Sequence, residues 1–361
     1  MIPFFTPDIA RYSMAVAAAV EDSRAGPGKE CTALVEELCE FTGAKYCLLT
    51  SSGTVGLQLA AAALGLNRLK YKAIIAVPDY GAVQTVNAFA YVGYRTHARE
   101  VSQQYGTFAY ANCDIEIDAV CHVDFCGRVR EELLAVRVWC DANKKPMIED
   151  AACALLSEWS GVKRTMKGGR TGDIGVFSFS GPKPITGGQG GALITDSEEA
   201  YKRARGIVNH GLVYDATLSA DVSVQVGTQA RMSDLSAALI RAQLKDVDRI
   251  RSRLLEIESL YAERLDIYRT DSGPAYHYII RSHDPRKLIA VLKDRGIEAR
   301  RNYLPLGAQH GRKPCVSQGA ARWWNEAVYL PFGPGLRDEQ VKQVCEAVLK
   351  DVTIRHDETV H

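Results

Sequence analysis

Short apolar segments and amphipathic segments alternate along the first two thirds of this chain of 361 residues. The apolar segments have the length of buried strands, whereas the segments between them repeat their apolar positions at the spacing of a helix. The strand-like segments are KYCLLT (45–50), AIIAV (73–77), AVCHV (119–123), PMIE (146–149), GVFSF (175–179) and GALIT (191–195). This order predicts an α/β fold with a mostly parallel central sheet and helices on both faces.

The last third of the chain predicts a different arrangement. A broad apolar stripe from Ser233 to about Leu265 predicts one long helix that links two lobes. After it, YHYIIRS, a helix (287–295), GIEAR and a helix (338–350) predict a smaller α+β unit. We therefore expect a large domain over residues 1–250, which begins with a short helix, and a small C-terminal domain over residues 251–361 with a frayed tail.

The charge balance and the N-terminus exclude some classes of protein. With 44 basic and 43 acidic residues, the chain lacks the charge excess of a nucleic-acid-binding or membrane-surface protein. The N-terminal run AVAAAV is too short for a signal peptide or a membrane span. The ten cysteines form no CxxC pair, which favours free thiols in a reducing compartment. We expect a cytoplasmic protein.

A metal site is considered at one point in the chain, where Cys121, His122, Asp124 and Cys126 lie close together. Neighbouring residues of a strand point to opposite faces, and no second pair of ligands follows. The sequence therefore predicts no metal site.

An acid and a lysine follow two of the predicted strands. Asp150 ends the segment PMIED, and Lys183 lies in a glycine-rich turn directly after GVFSF. A buried carboxylate keeps a pyridine nitrogen protonated, and a buried lysine can bind an aldehyde as a Schiff base. The pair suits an aldehyde cofactor that is held as a Schiff base and whose ring nitrogen stays protonated. The alternatives are that Asp150 caps a helix in AACALL and that Lys183 is a surface residue.

A phosphate site is predicted between the first strand and its helix. Ser51, Ser52, Gly53 and Thr54 place hydroxyls and backbone N–H groups at a helix start, where anions bind. Ordinary helix capping would also explain the serines. Ser178, five residues before the lysine, adds a further hydroxyl or packs as a small residue under the sheet.

The ordered motifs of the chain resemble the DegT/DnrJ/EryC1/StrS family of pyridoxal-phosphate-dependent sugar aminotransferases of fold type I. The resemblance covers about residues 25 to 350. The matching stretches are GAKYCLLTSSGTVGL, VPDYGAVQTVNAFAYVGY, IEDAACA, GDIGVFSFSGPKPITGGQGGALIT, NHGL, RMSDLSAALIRAQL and YLPFGPGL. Each stretch alone is a weak signal, whereas their common order is a strong one.

The resemblance implies a role for each candidate residue. Lys183 is the expected Schiff-base lysine and Asp150 the expected partner of the pyridine nitrogen. The residues expected around the cofactor phosphate are Ser52, Gly53, Thr54 and Ser178. The resemblance also implies a homodimer with shared active sites, in which Gln229 reaches the phosphate of the other subunit. The expected substrates are an amino acid donor such as glutamate and a keto-sugar nucleotide.

The chain departs from the family pattern at several positions, among them Ala82 and Cys153 near the expected cofactor and Gly307 at an expected substrate contact. Ala82 stands where the family has an aromatic ring over the cofactor, although Tyr80 is close in sequence. Cys153 replaces a glutamine that contacts the phenolic oxygen of the cofactor. Gly307 replaces a histidine that often contacts substrate. These differences indicate a remodelled substrate pocket.

Two other functions remain open at this point. An enzyme with the same fold and cofactor could catalyse decarboxylation, elimination or exchange on an unusual amino or nucleotide-linked substrate. A binding or regulatory protein could also use the scaffold without catalysis. The presence of both Asp150 and Lys183 argues against the second, because a sensor needs neither an electron sink nor a base.

Overall fold

The computed structural model of the chain describes residues 1–21, 26–66, 73–108, 117–161, 165–215, 217, 219–265, 273–309 and 316–350. The expected frayed tail, residues 351–361, lies outside the described residues, as do Cys113 and Cys315. Within the described residues, none of the helices combines the length and the apolar character that crossing a membrane requires.

The secondary structure follows the predicted alternation. The strands are β1 (Tyr46–Thr50), β2 (Ile74–Pro78), β3 (Arg95–Arg99), β4 (Ala119–Val123), β5 (Met147–Asp150), β6 (Glu158–Ser160), β7 (Thr165–Lys167), β8 (Ile174–Ser178), β9 (Gly191–Thr195), β10 (Leu212–Asp215), β11 (Ala220–Ser223), β12 (Tyr278–Arg281) and β13 (Ala327–Leu330). The helices are α1 (Ser13–Glu21), α2 (Lys29–Thr42), α3 (Gly53–Ala63), α4 (Val83–Tyr91), α5 (Glu132–Ala142), α6 (Glu198–Val208), α7 (Asp234–Leu244), α8 (Val247–Leu265), α9 (Pro285–Asp294), α10 (Gln318–Glu326) and α11 (Asp338–Leu349).

The central sheet has seven strands in the order β1-β9-β8-β5-β4-β2-β3. The pairs β2/β3, β2/β4, β4/β5 and β5/β8 are parallel, whereas β9 pairs antiparallel with both β8 and β1. The prediction of a mostly parallel sheet is therefore confirmed. Because six of these seven strands run in one direction, their carboxyl ends meet at one edge of the sheet, where ligands bind in such folds.

Helices cover both faces of this sheet. Strand residues such as Val120, Ile148 and Phe177 are completely or almost completely buried between them. Helix α3 comes especially close to the sheet, because a Cβ added at Gly56 would lie 2.7 Å from Val176 Cγ1. The small residues of α3 thus fix the position of its N-terminus at the carboxyl edge of the sheet.

The prediction of one long helix from Ser233 to Leu265 is wrong. Helix α7 ends at Leu244 and α8 begins at Val247. Asp246 at the break accepts hydrogen bonds from Tyr12 Oη at 2.8 Å and from Arg249 Nε at 2.6 Å. This bend separates a helix that packs on α2 from one that packs on α11. The continuous apolar stripe in the sequence does not reveal the break between α7 and α8, because each of the two helices buries an apolar face.

The C-terminal part of the chain combines helices α9–α11 with the antiparallel pair β12/β13. GIEAR supplies only single bridges, from Ile297 to Ile2 and from Arg300 to Tyr329. The strand that pairs with β12 instead follows α10 directly, where no turn residue marks its start. The domain boundary at residue 250 falls inside α8 and stays a prediction.

Candidate active site

A cleft of about 350 Å³ opens at the carboxyl edge of the sheet. Its lining includes the ends of β4, β5 and β8, the start of α3 and two tyrosines from the C-terminal part of the chain. Most of the predicted site residues line this cleft, namely Ser52, Gly53, Thr54, Ala82, Asp150, Cys153, Ser178 and Lys183. The structure therefore brings together residues that are far apart in the sequence.

Lys183 is buried in the loop that follows β8, with 9% of its surface exposed. Its Nζ donates a hydrogen bond to Cys153 Sγ at 2.7 Å and lies 4.1 Å from the centre of the Tyr276 ring. The loop is compact because Lys183 N donates to Ser180 O at 2.9 Å and Gly187 N donates to Phe179 O at 3.0 Å. Lys183 is therefore not a surface residue, and its amine faces the cleft.

Asp150 is buried at the end of β5 and is held by two hydrogen bonds. Its Oδ2 accepts from Thr85 Oγ1 at 2.6 Å, and its Oδ1 accepts from Ala152 N at 3.2 Å. Burial raises the pKa of Asp150, while the two hydrogen bonds and the positive charge of Lys183 oppose that increase. Residues 151–157 form turns and no helix, so Asp150 does not cap a helix in AACALL.

Glu149 differs from its neighbour in orientation, as expected for adjacent residues of a strand. Its carboxylate accepts hydrogen bonds from the backbone N–H groups of Gly169 at 2.6 Å, Thr171 at 2.7 Å and Gly172 at 2.8 Å. These bonds hold the loop before β8 against β5. Of the two acids that end β5, only Asp150 lines the cleft.

Two titratable side chains at the end of β4 are fully buried near this edge. His122 Nε2 lies 3.8 Å from Asp124 Oδ1. Burial lowers the pKa of His122 to about 4, and burial together with the Glu149 carboxylate raises that of Asp124 well above its usual range. In the described part of the chain, no cluster of three or more His, Cys, Asp or Glu residues is arranged to hold a metal ion.

The start of α3 forms a narrow cradle. Ser52 caps the helix, because its Oγ accepts a hydrogen bond from Val55 N at 3.2 Å. A Cβ added at Gly53 would lie 2.8 Å from Ser178 Cβ, so only glycine leaves room at this position. Thr54 and Ser178 line the cleft beside it. Capping explains Ser52, whereas Thr54 and Ser178 line the cleft beside a helix N-terminus, where anions bind.

No aromatic ring enters the cleft from position 82, which is an alanine. Ala82 precedes α4 and lines the cleft, but Tyr80 is 1% exposed and points away. Tyr80 Oη donates a hydrogen bond to Asn302 O at 2.9 Å, and its ring packs against Phe125 and Trp323. Tyr80 therefore does not replace the aromatic ring that position 82 lacks.

Two predicted contacts lie outside the cleft. Gln229 is exposed, accepts a hydrogen bond from Arg231 Nε at 3.0 Å and forms a bridge with Asn209. Gly307 is buried, and its N–H donates to Asp79 Oδ1 at 2.7 Å. Gly307 thus anchors its loop to the residue that follows β2, rather than facing the cleft.

Sequence reasoning missed several residues that line the cleft, among them Thr85, Phe125, Tyr276 and Tyr303. Tyr303 has a left-handed backbone with φ of 61°, which is unusual for a bulky side chain. No spacing in the sequence connects these residues to Asp150 or Lys183. The threonine alone has a local signal, because a polar residue on the buried face of a helix needs a partner.

Comparisons with known proteins agree with this architecture. The family model of the DegT/DnrJ/EryC1/StrS aminotransferase family matches residues 8–349. The chain is 27% identical over 343 residues to GDP-perosamine synthase from Vibrio cholerae, which covers 89% of this chain and 90% of that protein. It is 29% identical over 259 residues to UDP-4-amino-4,6-dideoxy-N-acetyl-beta-L-altrosamine transaminase from Campylobacter jejuni, which covers 70% of this chain and 66% of that protein.

Among solved structures, Helicobacter pylori PseC, an aminotransferase involved in the biosynthesis of pseudoaminic acid, superposes with a TM-score of 0.88 at 22% identity. The match covers 97% of this chain and 98% of that one. A sugar aminotransferase from Streptococcus pneumoniae, described as putative and in its PMP form, superposes with a TM-score of 0.86 at 22% identity, covering 96% and 98%. These likenesses establish the fold, and the family match over nearly the whole sequence shows that the chain belongs to the DegT/DnrJ/EryC1/StrS aminotransferase family.

Proposed function

We propose that this aminotransferase uses pyridoxal 5'-phosphate to move an amino group from glutamate to a keto-sugar nucleotide. The observation that carries the proposal is the cleft that contains both Lys183 and Asp150 at the carboxyl edge of the sheet. The compounds in the names of the relatives are amino sugars linked to GDP or UDP, which supports this substrate class.

The side chains of the cleft fit such a cofactor. Lys183 would hold its aldehyde, and Asp150 would face its ring nitrogen. Gly53, Thr54 and Ser178 would surround its phosphate, since all three line the cleft at the N-terminus of α3. When bound, the cofactor supplies an electron sink for the bond that breaks at the donor Cα.

Asp150 supplies the negative charge that this chemistry needs. The hydrogen bonds from Thr85 and Ala152 favour the ionised carboxylate against the effect of burial. Because both donors are fixed to α4 and to the turn after β5, the carboxylate is oriented before a ligand arrives. A positive ring nitrogen in the cleft would stabilise the ionised form further.

Lys183 would have a second task, in proton transfer. Its amine, when not bound to the cofactor, would accept the proton from the donor Cα and would return a proton to the substrate. Its burial keeps bulk water away from that proton. Cys153, at 2.7 Å, and the face of Tyr276, at 4.1 Å, restrict where the amine can move.

We also infer a homodimer with shared active sites. Gln229 is exposed and lies outside its own cleft, which leaves it available to the cleft of a second subunit. Sedimentation of the purified protein would test the dimer, and Gln229→Ala would test the contact through weaker cofactor retention. A cytoplasmic location stays a prediction.

A half-reaction tests the proposed activity. Purified protein is loaded with pyridoxal 5'-phosphate, and glutamate is added while absorbance and released 2-oxoglutarate are followed. Borohydride reduction before glutamate addition should attach the cofactor at Lys183. We expect Lys183→Ala to lose both signals, while Lys167→Ala keeps them, because Lys167 donates to Phe41 O on the surface.

The outcomes separate the proposed reaction from others on the same scaffold. The keto-sugar nucleotides that correspond to the two named amino sugars, offered to the aminated enzyme, should restore the starting absorbance. Failure of glutamate to change the spectrum of a protein that is trapped at position 183 would favour decarboxylation, elimination or exchange. A protein that binds no cofactor and is not labelled at position 183 would contradict the proposal.

A further inference from the structure

We propose that Tyr276 is a catalytic residue of this site, whose aromatic face stabilises positive charge at the nitrogen of Lys183. The proposal rests on the proposed function only for its effect on catalysis, since the contact between ring and amine is present in the protein alone. The Nζ atom lies 4.1 Å from the ring centre. A cation over the face of a tyrosine is attracted by the quadrupole of the ring.

The position of Tyr276 is fixed from several sides. Its backbone N–H donates to Cys126 O at 2.7 Å, which attaches the segment before β12 to the turn after β4. The preceding residue, Ala275, donates its N–H to Glu258 Oε1 on α8 at 2.6 Å. The Phe5 ring stacks with that of Tyr276, with centroids 5.7 Å apart. These contacts fix the distance between the Tyr276 ring and the amine of Lys183.

The residues around Tyr276 explain why its aromatic face is important for the charge on Lys183. Position 82, on the α4 side of the cleft, is an alanine, and Tyr80 does not line the cleft, because its hydroxyl donates to Asn302 O. Tyr276 is 6% exposed and lines the cleft. It therefore covers the reacting nitrogen and keeps water from it, while the aromatic face favours the cationic form over the neutral one.

The charged and titratable groups near Lys183 come from three other parts of the fold. Asp150 on β5 is an acid that favours a positive amine, and Cys153 in the following turn accepts its hydrogen bond. His277, next to Tyr276, is buried, and both burial and the nearby Lys183 lower its pKa well below the usual range. Its ring is therefore neutral at neutral pH, which leaves the aromatic face of Tyr276 and the carboxylate of Asp150 to stabilise a cation.

The contact is tested first on the protein without cofactor. Labelling of Lys183 by an amine-reactive reagent is measured by mass spectrometry as a function of pH, in wild type, Tyr276→Phe and Tyr276→Leu. We expect the midpoint of labelling to move down by about 0.5 to 1.5 pH units in Tyr276→Leu and to stay in place in Tyr276→Phe. The hydroxyl is then dispensable, whereas the ring face is not.

Phe5→Leu is the control for packing, because the Phe5 ring stacks with that of Tyr276 and lies outside the lining of the cleft. It should change thermal stability without moving the midpoint. Tyr276→Met fills similar volume without a ring and replaces Tyr276→Leu if the latter does not fold. Equal midpoints in wild type and in the folded variant without a ring would overturn the proposal.

The same variants are then loaded with pyridoxal 5'-phosphate. The pH at which the absorbance of the bound cofactor changes should fall by a similar amount in the variant without a ring, and Tyr276→Phe should restore it. If wild type is not labelled by the cofactor at Lys183, the proposed function fails while the first experiment still decides the role of Tyr276. If loading succeeds and the midpoint is unchanged, the role of Tyr276 fails alone.

Discussion

The amine of Lys183 donates a hydrogen bond of 2.7 Å to the thiol of Cys153. This contact joins the loop after β8 to the turn after β5, so that the two predicted halves of the site meet across neighbouring strands. The thiol is a weak hydrogen-bonding group, and burial raises its pKa even though Lys183 opposes the increase.

Replacement of Cys153 by glutamine should strengthen cofactor binding. The amide can donate a hydrogen bond that a buried thiol provides only weakly, and one such bond contributes about 0.5 to 1.5 kcal/mol. We expect retention of pyridoxal 5'-phosphate during dialysis to increase by about threefold to tenfold. Cys153→Ala, which cannot donate, is the control, and equal gains in both variants would contradict this explanation.

Removal of the Thr85 hydroxyl should make the ionised carboxylate of Asp150 less stable. In Thr85→Val, the carboxylate loses the donor at 2.6 Å, and hydrogen bonds to charged groups contribute about 1.5 to 3 kcal/mol. We expect the glutamate half-reaction to slow by about tenfold or more. Thr85→Ser keeps the hydroxyl and should stay close to wild type.

The same variant should shift the pH dependence. The Thr85 hydrogen bond lowers the pKa of Asp150, so its loss lets that pKa rise, and activity should fall at a higher pH as the solution is made more acidic. Single-turnover rates across acidic pH measure this shift. Identical profiles for the valine variant and wild type would show that Thr85 does not control the charge of Asp150.

An aromatic residue at position 82 should improve cofactor retention. Ala82 lines the cleft without a ring, and Ala82→Phe or Ala82→Trp would supply a surface for stacking. We expect slower loss of cofactor in both variants, measured by absorbance after gel filtration. Ala90→Phe on the exposed side of α4 is the matched control. Unchanged or weaker retention in both variants would indicate that another ring, such as Tyr303, already covers the cofactor.

Cys39 should be the most reactive of the thiols that the structure describes. It is partly buried on α2, where a hydrogen bond with Cys47 lowers its pKa to about 7 and the charge of Arg170 adds to this effect against burial. Since the thiolate is the nucleophile, alkylation by iodoacetamide should rise through pH 7 and fall off below it.

Variants at position 47 test the cause of that reactivity. Cys47→Ala removes the hydrogen bond and should move the alkylation midpoint of Cys39 towards its ordinary value of 9. Cys47→Ser keeps a donor and should leave the midpoint near that of wild type. A midpoint that is the same in all three proteins would assign the low pKa to Arg170 instead.

The sequence by itself determined six of the seven strands of the central sheet and most of the helices that cover it, because the burial of a strand or of one helix face is recorded in local periodicity. It missed the edge strand β3, because none of the residues of that strand is buried. It also pointed to Asp150 and Lys183, since each directly follows a buried strand of a sheet whose carboxyl ends converge. The break between α7 and α8 was not visible, because it depends on contacts of Asp246 with Tyr12 and Arg249.

Only the tertiary structure decided which side chains complete the cleft. Thr85 reaches Asp150 across 65 residues of sequence, and Tyr276 reaches Lys183 from a segment beyond α8. The tertiary structure also turns the Tyr80 side chain away from the cleft. It places the Glu149 carboxylate against the loop before β8, away from that of Asp150, although both acids end the same strand. Local patterns encode whether a residue is buried, whereas its partner depends on how the helices and strands pack, which no single segment specifies.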